Sequence, residues 1–155
     1  MSGRVGVGVV GCGAIAQRRH LPEYAARNDV DIVAVCDPNP DRAEEVRAAF
    51  GARHACTSLE EMLALEGLNA VSICAPNRFH AEMSIAALSA GKHVLCEKPM
   101  ATSMDEARAM IEAADRAGVF LMIGHNQRFM PLHRKAKAIL ESGALGRVLT
   151  FSTTF

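Results

Sequence analysis

Gly11, Gly13 and Ala16 stand at the spacing G-x-G-x-x-A, behind a valine-rich run that begins at Val5 and ahead of Ala14, Ile15 and Gln17. Glycine in the first place lets the chain turn sharply. Glycine in the second leaves no Cβ between the backbone and an approaching pyrophosphate, and a small residue in the third lets a helix pack on its strand. A helix opening at Ala14 and Ile15 would aim its free N–H groups and the positive end of its dipole at phosphate oxygens. Gly6, Gly8 and Gly11 match a second frame of the same pattern, but that frame lies inside the apolar run and no helix opens at its second glycine. The later frame is therefore the one suited to bind a dinucleotide, against the plainer reading of a glycine-rich turn that holds no ligand.

Other residues that could do chemistry recur at the ends of apolar runs. Asp37 lies 26 residues after Gly11, where a carboxylate can accept the adenosine ribose hydroxyls and repel a 2'-phosphate. Arg42 nearby keeps a phosphate-binding role open, and an Asx turn ahead of Pro38 is the structural alternative for Asp37. Pro76, Asn77 and His80 follow the next long run, with His80 as a ligand-facing imidazole or one bonded to backbone. Glu97, Lys98 and Pro99 follow another, where the Lys98 ammonium could hold a substrate hydroxyl and ease its proton loss, or simply be solvated. Glu97 could orient a neighbour or point to solvent. Asn126 and Arg128 lie in a polar stretch, Gly124 to Phe129, able to meet a nicotinamide amide or a substrate, or to bridge two domains.

These stations need elements to carry them. Apolar runs at Val5, Val30–Cys36, Arg53–Cys56, Asn69–Ala75, His93–Cys96 and Val119–Ile123 read as strands, and helical patterns fall between them. The first helix pattern runs from Ile15 to Ala26 and is expected to bend or split at Pro22. Ser58 with Glu61 and Ser103 with Glu106 have the spacing of capping boxes. The helix after Ser103 places Met104, Ala107, Met110, Ile111 and Ala114 on one face. Alternating strands and helices predict an α/β doubly wound parallel sheet of Rossmann type over residues 1–124, since parallel neighbours need crossover helices. Residues 125–155 read as a helix from Pro131 and a half-exposed strand from Arg147 to Phe155, the start of an incomplete α+β second domain. That strand has Phe151 and Phe155 on one face and no sheet to join, so the chain reads as the N-terminal piece of a longer protein.

Composition narrows the classes. The 155 residues are half hydrophobic with one Tyr, six Phe and no Trp, so the core must be built from Ala, Val, Leu, Ile and Met. Acidic and basic residues balance at 17 each, which argues against nucleic acid or an anionic membrane as partner. No long apolar span or charged-then-apolar leader stands out, and a cytoplasmic protein is expected. The cysteines at 12, 36, 56, 74 and 96 lack metal-ligand spacing and read as reduced core residues, with no metal site.

Taken together, Gly11-Cys-Gly-Ala-Ile-Ala16, Ala34-Val-Cys-Asp37 with Arg42, Ala75-Pro-Asn-Arg-Phe-His80, Cys96-Glu-Lys-Pro99, Gly124-His-Asn-Gln-Arg-Phe129 and Gly143-Ala-Leu-Gly146 make the sequence resemble the N-terminal part of the glucose-fructose oxidoreductase, inositol dehydrogenase and MocA family. The Glu-Lys-Pro element is the most specific of these. The resemblance implies an NAD-dependent enzyme, with NADP possible, that moves hydride to or from a sugar, polyol or related secondary alcohol. It implies cofactor contacts by Gly11, Gly13, Ala14, Ile15, Asp37, Pro76, Asn77, His80, Glu97 and Arg128, and a catalytic or substrate-binding role for Lys98. It also implies a second domain, largely antiparallel sheet, that lines the substrate pocket, supplies a histidine acid or base and forms a homo-oligomer interface. The alternative is a module that binds the dinucleotide without reacting.

Overall fold

The structure is a computed structural model that describes residues 3–152. Six strands, β1 (Val5–Val10), β2 (Val30–Cys36), β3 (His54–Cys56), β4 (Ala70–Ile73), β5 (His93–Cys96) and β6 (Leu121–Ile123), form one parallel sheet in the order β3-β2-β1-β4-β5-β6. The order reverses between β1 and β4, the crevice where doubly wound sheets bind their ligands. The helices are α1 (Leu21–Ala25), α2 (Pro40–Phe50), α3 (Leu59–Leu63), α4 (His80–Ser89), α5 (Met104–Ala117) and α6 (Pro131–Glu141). The chain divides into two compact units after Gly124.

Strand alternation explains the core of the first unit, because successive side chains leave opposite faces of the sheet. Val9 and Val35 join Cys12, Ala16, Leu21 and Val46 on one side. Val10, Val71 and Ile73 join Met62, Leu88, Met110 and Ala114 on the other. Burying each large aliphatic side chain contributes roughly 1.5–3 kcal/mol. The two glycines of the discarded frame serve this packing. A Cβ on Gly6 would lie 1.8 Å from the Gly67 carbonyl oxygen, and one on Gly8 would lie 2.7 Å from Met62 Sδ.

Pro22 does not split the first helix. Residues are helical from Ala14, pass through a π turn at Ala16–His20 in which the Leu21 amide donates to the Ala16 carbonyl, and continue as α1 with Pro22 in its first turn. The wider turn lies where a proline ring would otherwise press on the preceding backbone. Ser103 and Glu106 form the full capping box, whereas Ser58 accepts from the Glu61 amide but the Glu61 carboxylate reaches past it to the Thr57 amide at 3.1 Å. On α5 the buried stripe is Met110, Ala113 and Ala114, while Met104 and Ile111 are exposed. Met104 is the first helical residue, and Ile111 sits about 100° round from Met110, on the flank.

In the second unit a 3-10 turn at Asn126–Phe129 precedes α6. The helix and the segment after it flank an apolar cleft of about 570 Å³ lined by Ile139, Leu140, Leu145, Val148 and Phe151. The strand expected from Arg147 does not form among the described residues: 147–152 pair with no neighbour, and a strand exists only through its ladder bonds. Thr153, Thr154 and Phe155 lie outside the described residues.

Candidate functional site

The turn after β1 brings its glycines to the carboxyl edge of the sheet. Gly11 has φ +87, and a Cβ there would meet the Cys74 carbonyl oxygen at 2.7 Å, so the turn can press against the end of β4 only as glycine. Gly13 is different, because nothing lies within 4 Å of where its Cβ would be. Gly13, Ala14 and Ile15 are exposed, Ala16 is fully buried, and the first intrahelical bond runs from the Gln17 amide to the Gly13 carbonyl. The N–H groups of Ala14, Ile15 and Ala16 therefore lack intrahelical acceptors, as in any first turn. Open space over Gly13 beside such a turn fits a dinucleotide pyrophosphate.

Asp37, 4% exposed at the end of β2, ties this turn to the next loop. Its Oδ2 accepts from the Cys12 amide at 3.0 Å and its Oδ1 from the Asn39 amide at 3.0 Å, with Arg42 Nη1 at 3.5 Å. The Asx-turn reading of Asp37 is thus realised in the fold. A carboxylate has about four lone-pair sites, so this bonding leaves capacity for ribose hydroxyls. Asn39 caps α2 by accepting from the Arg42 amide, which aligns Arg42 beside the carboxylate.

Pro76 and Asn77 are exposed after β4, and Arg78 lies over the Phe79 ring at 4.6 Å. His80 is 1% exposed. Its Nδ1 is 2.7 Å from the Pro99 carbonyl oxygen and its Nε2 2.8 Å from the Ala75 carbonyl oxygen, so one ring clasps the loops that follow β4 and β5.

Glu97 follows β5 with its carboxylate turned inward. Oε1 is 2.9 Å from His20 Nε2, and Oε2 accepts from the Lys98 amide at 3.2 Å. The Lys98 side chain is exposed on the same edge of the sheet, and the Lys98–Pro99 peptide is cis. Arg128 belongs to the second unit, in the turn Asn126–Phe129.

Sequence reading missed His20, Tyr24 and Gln17. Gln17 Nε2 donates to the Cys12 carbonyl at 2.7 Å, bracing the glycine turn from the helix. Tyr24 stands edge-on to His20 with its hydroxyl 2.6 Å from Ser72 Oγ, and burial raises its phenol above the usual range. The i, i+4 pair of His20 and Tyr24 was the only hint that both face the sheet. The thiols at the strand ends are all buried and free. Burial, then the Asp37 charge, pushes Cys12 up to about 11, and burial raises Cys96 to about 11 and Cys36 to about 12. A thiol held neutral in this way is a packing group and not a nucleophile.

Comparison with known proteins places the fold in a family. Residues 5–125 match the model of the GFO_IDH_MocA oxidoreductase family, NAD-binding Rossmann fold. The chain is 34% identical over 142 residues to D-glucoside 3-dehydrogenase of Escherichia coli, an alignment covering 92% of this chain and 40% of that protein. Among solved structures, a 3-ketoreductase of Actinomadura kijaniata in complex with TDP-benzene and NADP superposes with TM-score 0.84 at 34% identity, over 90% of this chain and 44% of that one. The WlbA dehydrogenase of Bordetella pertussis in complex with NADH and UDP-GlcNAcA gives TM-score 0.87 at 34% identity, over 93% and 44%. The chain thus spans less than half the length of these relatives.

Proposed function

The chain belongs to the GFO_IDH_MocA oxidoreductase family and carries its NAD-binding Rossmann fold, and from that premise we propose that it is the cofactor-binding part of a dehydrogenase acting on a sugar, polyol or related secondary alcohol. Bound NAD would supply the hydride acceptor. Gly11 and Gly13 would let the pyrophosphate approach, the first-turn amides of Ala14 and Ile15 would hold its oxygens, and Asp37 would take the adenosine ribose. Pro76 and Asn77 would border the nicotinamide side, with His80 and Glu97 fixing the loops beneath it. The Lys98 ammonium would hold the substrate hydroxyl and manage its proton.

The observation that carries this reading is the exposed Lys98 on a turn held by Glu97 and His80, at the same sheet edge as the open glycine turn. The sugar chemistry is supported by relatives that include a D-glucoside 3-dehydrogenase and a dehydrogenase crystallised with UDP-GlcNAcA. The same reading takes the enzyme to be a cytoplasmic homo-oligomer. This chain alone is expected to be inactive, so the test of the reading is NADH formation across a panel of sugars and polyols in the full-length enzyme, wild type and Lys98→Met. Turnover should fall by about two to four orders of magnitude while NAD affinity stays nearly unchanged, because the lost group acts on the substrate proton. Near-normal turnover in the variant would remove Lys98 from the mechanism. NAD binding with no oxidised substrate in wild type would favour a non-catalytic dinucleotide module.

A further inference from the structure

His20 lies on the helix of the glycine turn, yet its ring reaches the end of β5. The π turn Ala16–His20 ends at this residue, and π turns often mark functional positions in helices. The His20 side chain is 9% exposed and the Glu97 side chain 16%, so their 2.9 Å contact is shielded from water and strengthened by the low local dielectric. Tyr24 stacks edge-on against the ring and is anchored in turn to Ser72 in the middle of the sheet, which limits the positions the imidazole can take. One oxygen of Glu97 faces His20, and the other accepts the backbone N–H of Lys98. The helix that would hold the pyrophosphate is thus joined, through two hydrogen bonds, to the residue proposed to hold the substrate.

We propose that His20 is a positioning residue, which orients the Glu97 carboxylate and through it the turn that carries Lys98. The inference rests on the reading of Lys98 given above, but the geometry it asserts can be measured apart from activity. Without His20, Glu97 loses its fixed donor, its carboxylate is free to rotate, and the Lys98 amide loses a fixed acceptor. A displacement of about 1 Å at a reacting group can cost about 100-fold in rate.

The experiment pairs two readouts on the full-length enzyme as wild type, His20→Ala and His20→Gln, the last of which keeps an N–H donor. The first readout is amide hydrogen exchange at Lys98, followed by NMR. It should accelerate by at least about tenfold in His20→Ala and recover in His20→Gln, while the β5 ladder amides exchange as in wild type. The second is NAD-linked turnover. Here kcat should fall by about 10- to 100-fold in His20→Ala with KM for NAD within about threefold, and His20→Gln should restore most of it. Unchanged exchange at Lys98, or a glutamine variant as impaired as the alanine one, overturns the proposal. Faster exchange at Lys98 in a protein that oxidises nothing upholds the positioning contact and overturns the assigned function instead. Should His20→Ala fail to fold, His20→Leu, which fills much of the same space without an N–H donor, takes its place in the same comparison.

Discussion

Asp37 meets three demands with one carboxylate: it receives the Cys12 amide of the glycine turn, closes the Asx turn to Asn39 and lies beside Arg42. A 2'-phosphate brought to the same place would face this buried charge, and Arg42, half-exposed at 3.5 Å, offsets only part of the repulsion. NAD is therefore expected to bind at least about tenfold more tightly than NADP by calorimetry, and Arg42→Ala should widen the gap. Equal affinities would show that the 2'-phosphate finds another cation. The two glycines of the turn separate fold from binding. Gly11→Ala forces a side chain into positive φ and onto the β4 carbonyl, and should lower stability by about 1–3 kcal/mol in a urea titration. Gly13→Ala meets no protein atom, so its melting temperature should stay near wild type while NAD affinity drops by about tenfold or more. Unaltered NAD binding in that variant would place the pyrophosphate elsewhere.

At the scale of elements, local chemistry decided most of what the sequence made legible. Ser103 accepts from the Glu106 amide and Glu106 returns bonds to Thr102 and Ser103, so the start of α5 is written in three residues. Ser103→Ala should cost about 1 kcal/mol, read as a lower melting temperature with NAD binding unchanged. Gly51 and Gly118, both at positive φ, close α2 and α5 in the left-handed conformation that glycine adopts most readily. The parallel order of the sheet was legible too, since crossover helices leave few alternatives. The inward turn of Glu97 was not. Its acceptor role depends on His20, 77 positions away in sequence, and no local rule links an imidazole in one helix to a carboxylate two strands along the sheet. His80 shows the same limit: its residue type fits a ligand contact or a backbone clasp equally, and the clasp depends on the arrival of Pro99 from another loop. The exposed Ile111 shows why a helix face read by period alone can err by one residue, since neighbours 100° apart both look apolar until the sheet selects one.

For the first unit as a whole, the buried thiols make stability depend on alkaline pH. Cys12, Cys36, Cys56, Cys74 and Cys96 are all raised by burial, whereas unfolded thiols ionise near pH 8.5 by ordinary values. Below that pH both states hold their thiol protons and the fold loses nothing. As pH rises toward the folded values of about 11 for Cys12 and Cys96, the unfolded chain binds fewer protons than the folded one, so stability falls. Each thiol adds a slope of up to about 1.4 kcal/mol per pH unit in that window. Urea midpoints should therefore decline steeply from about pH 8.5 to about pH 10.5, and less steeply in Cys36→Ala. A flat profile would mean that the folded thiols ionise with little resistance. The His80 clasp has a different consequence for the same unit. Two loops that leave separate strands share one ring, so a shift of the Asn77 loop on binding a dinucleotide would be passed to the Lys98 loop as a mechanical load. Linkage makes such a load reciprocal: whatever the first ligand does to the affinity of the second, the second does to the first. The coupling between the two ligands would then run through a single imidazole.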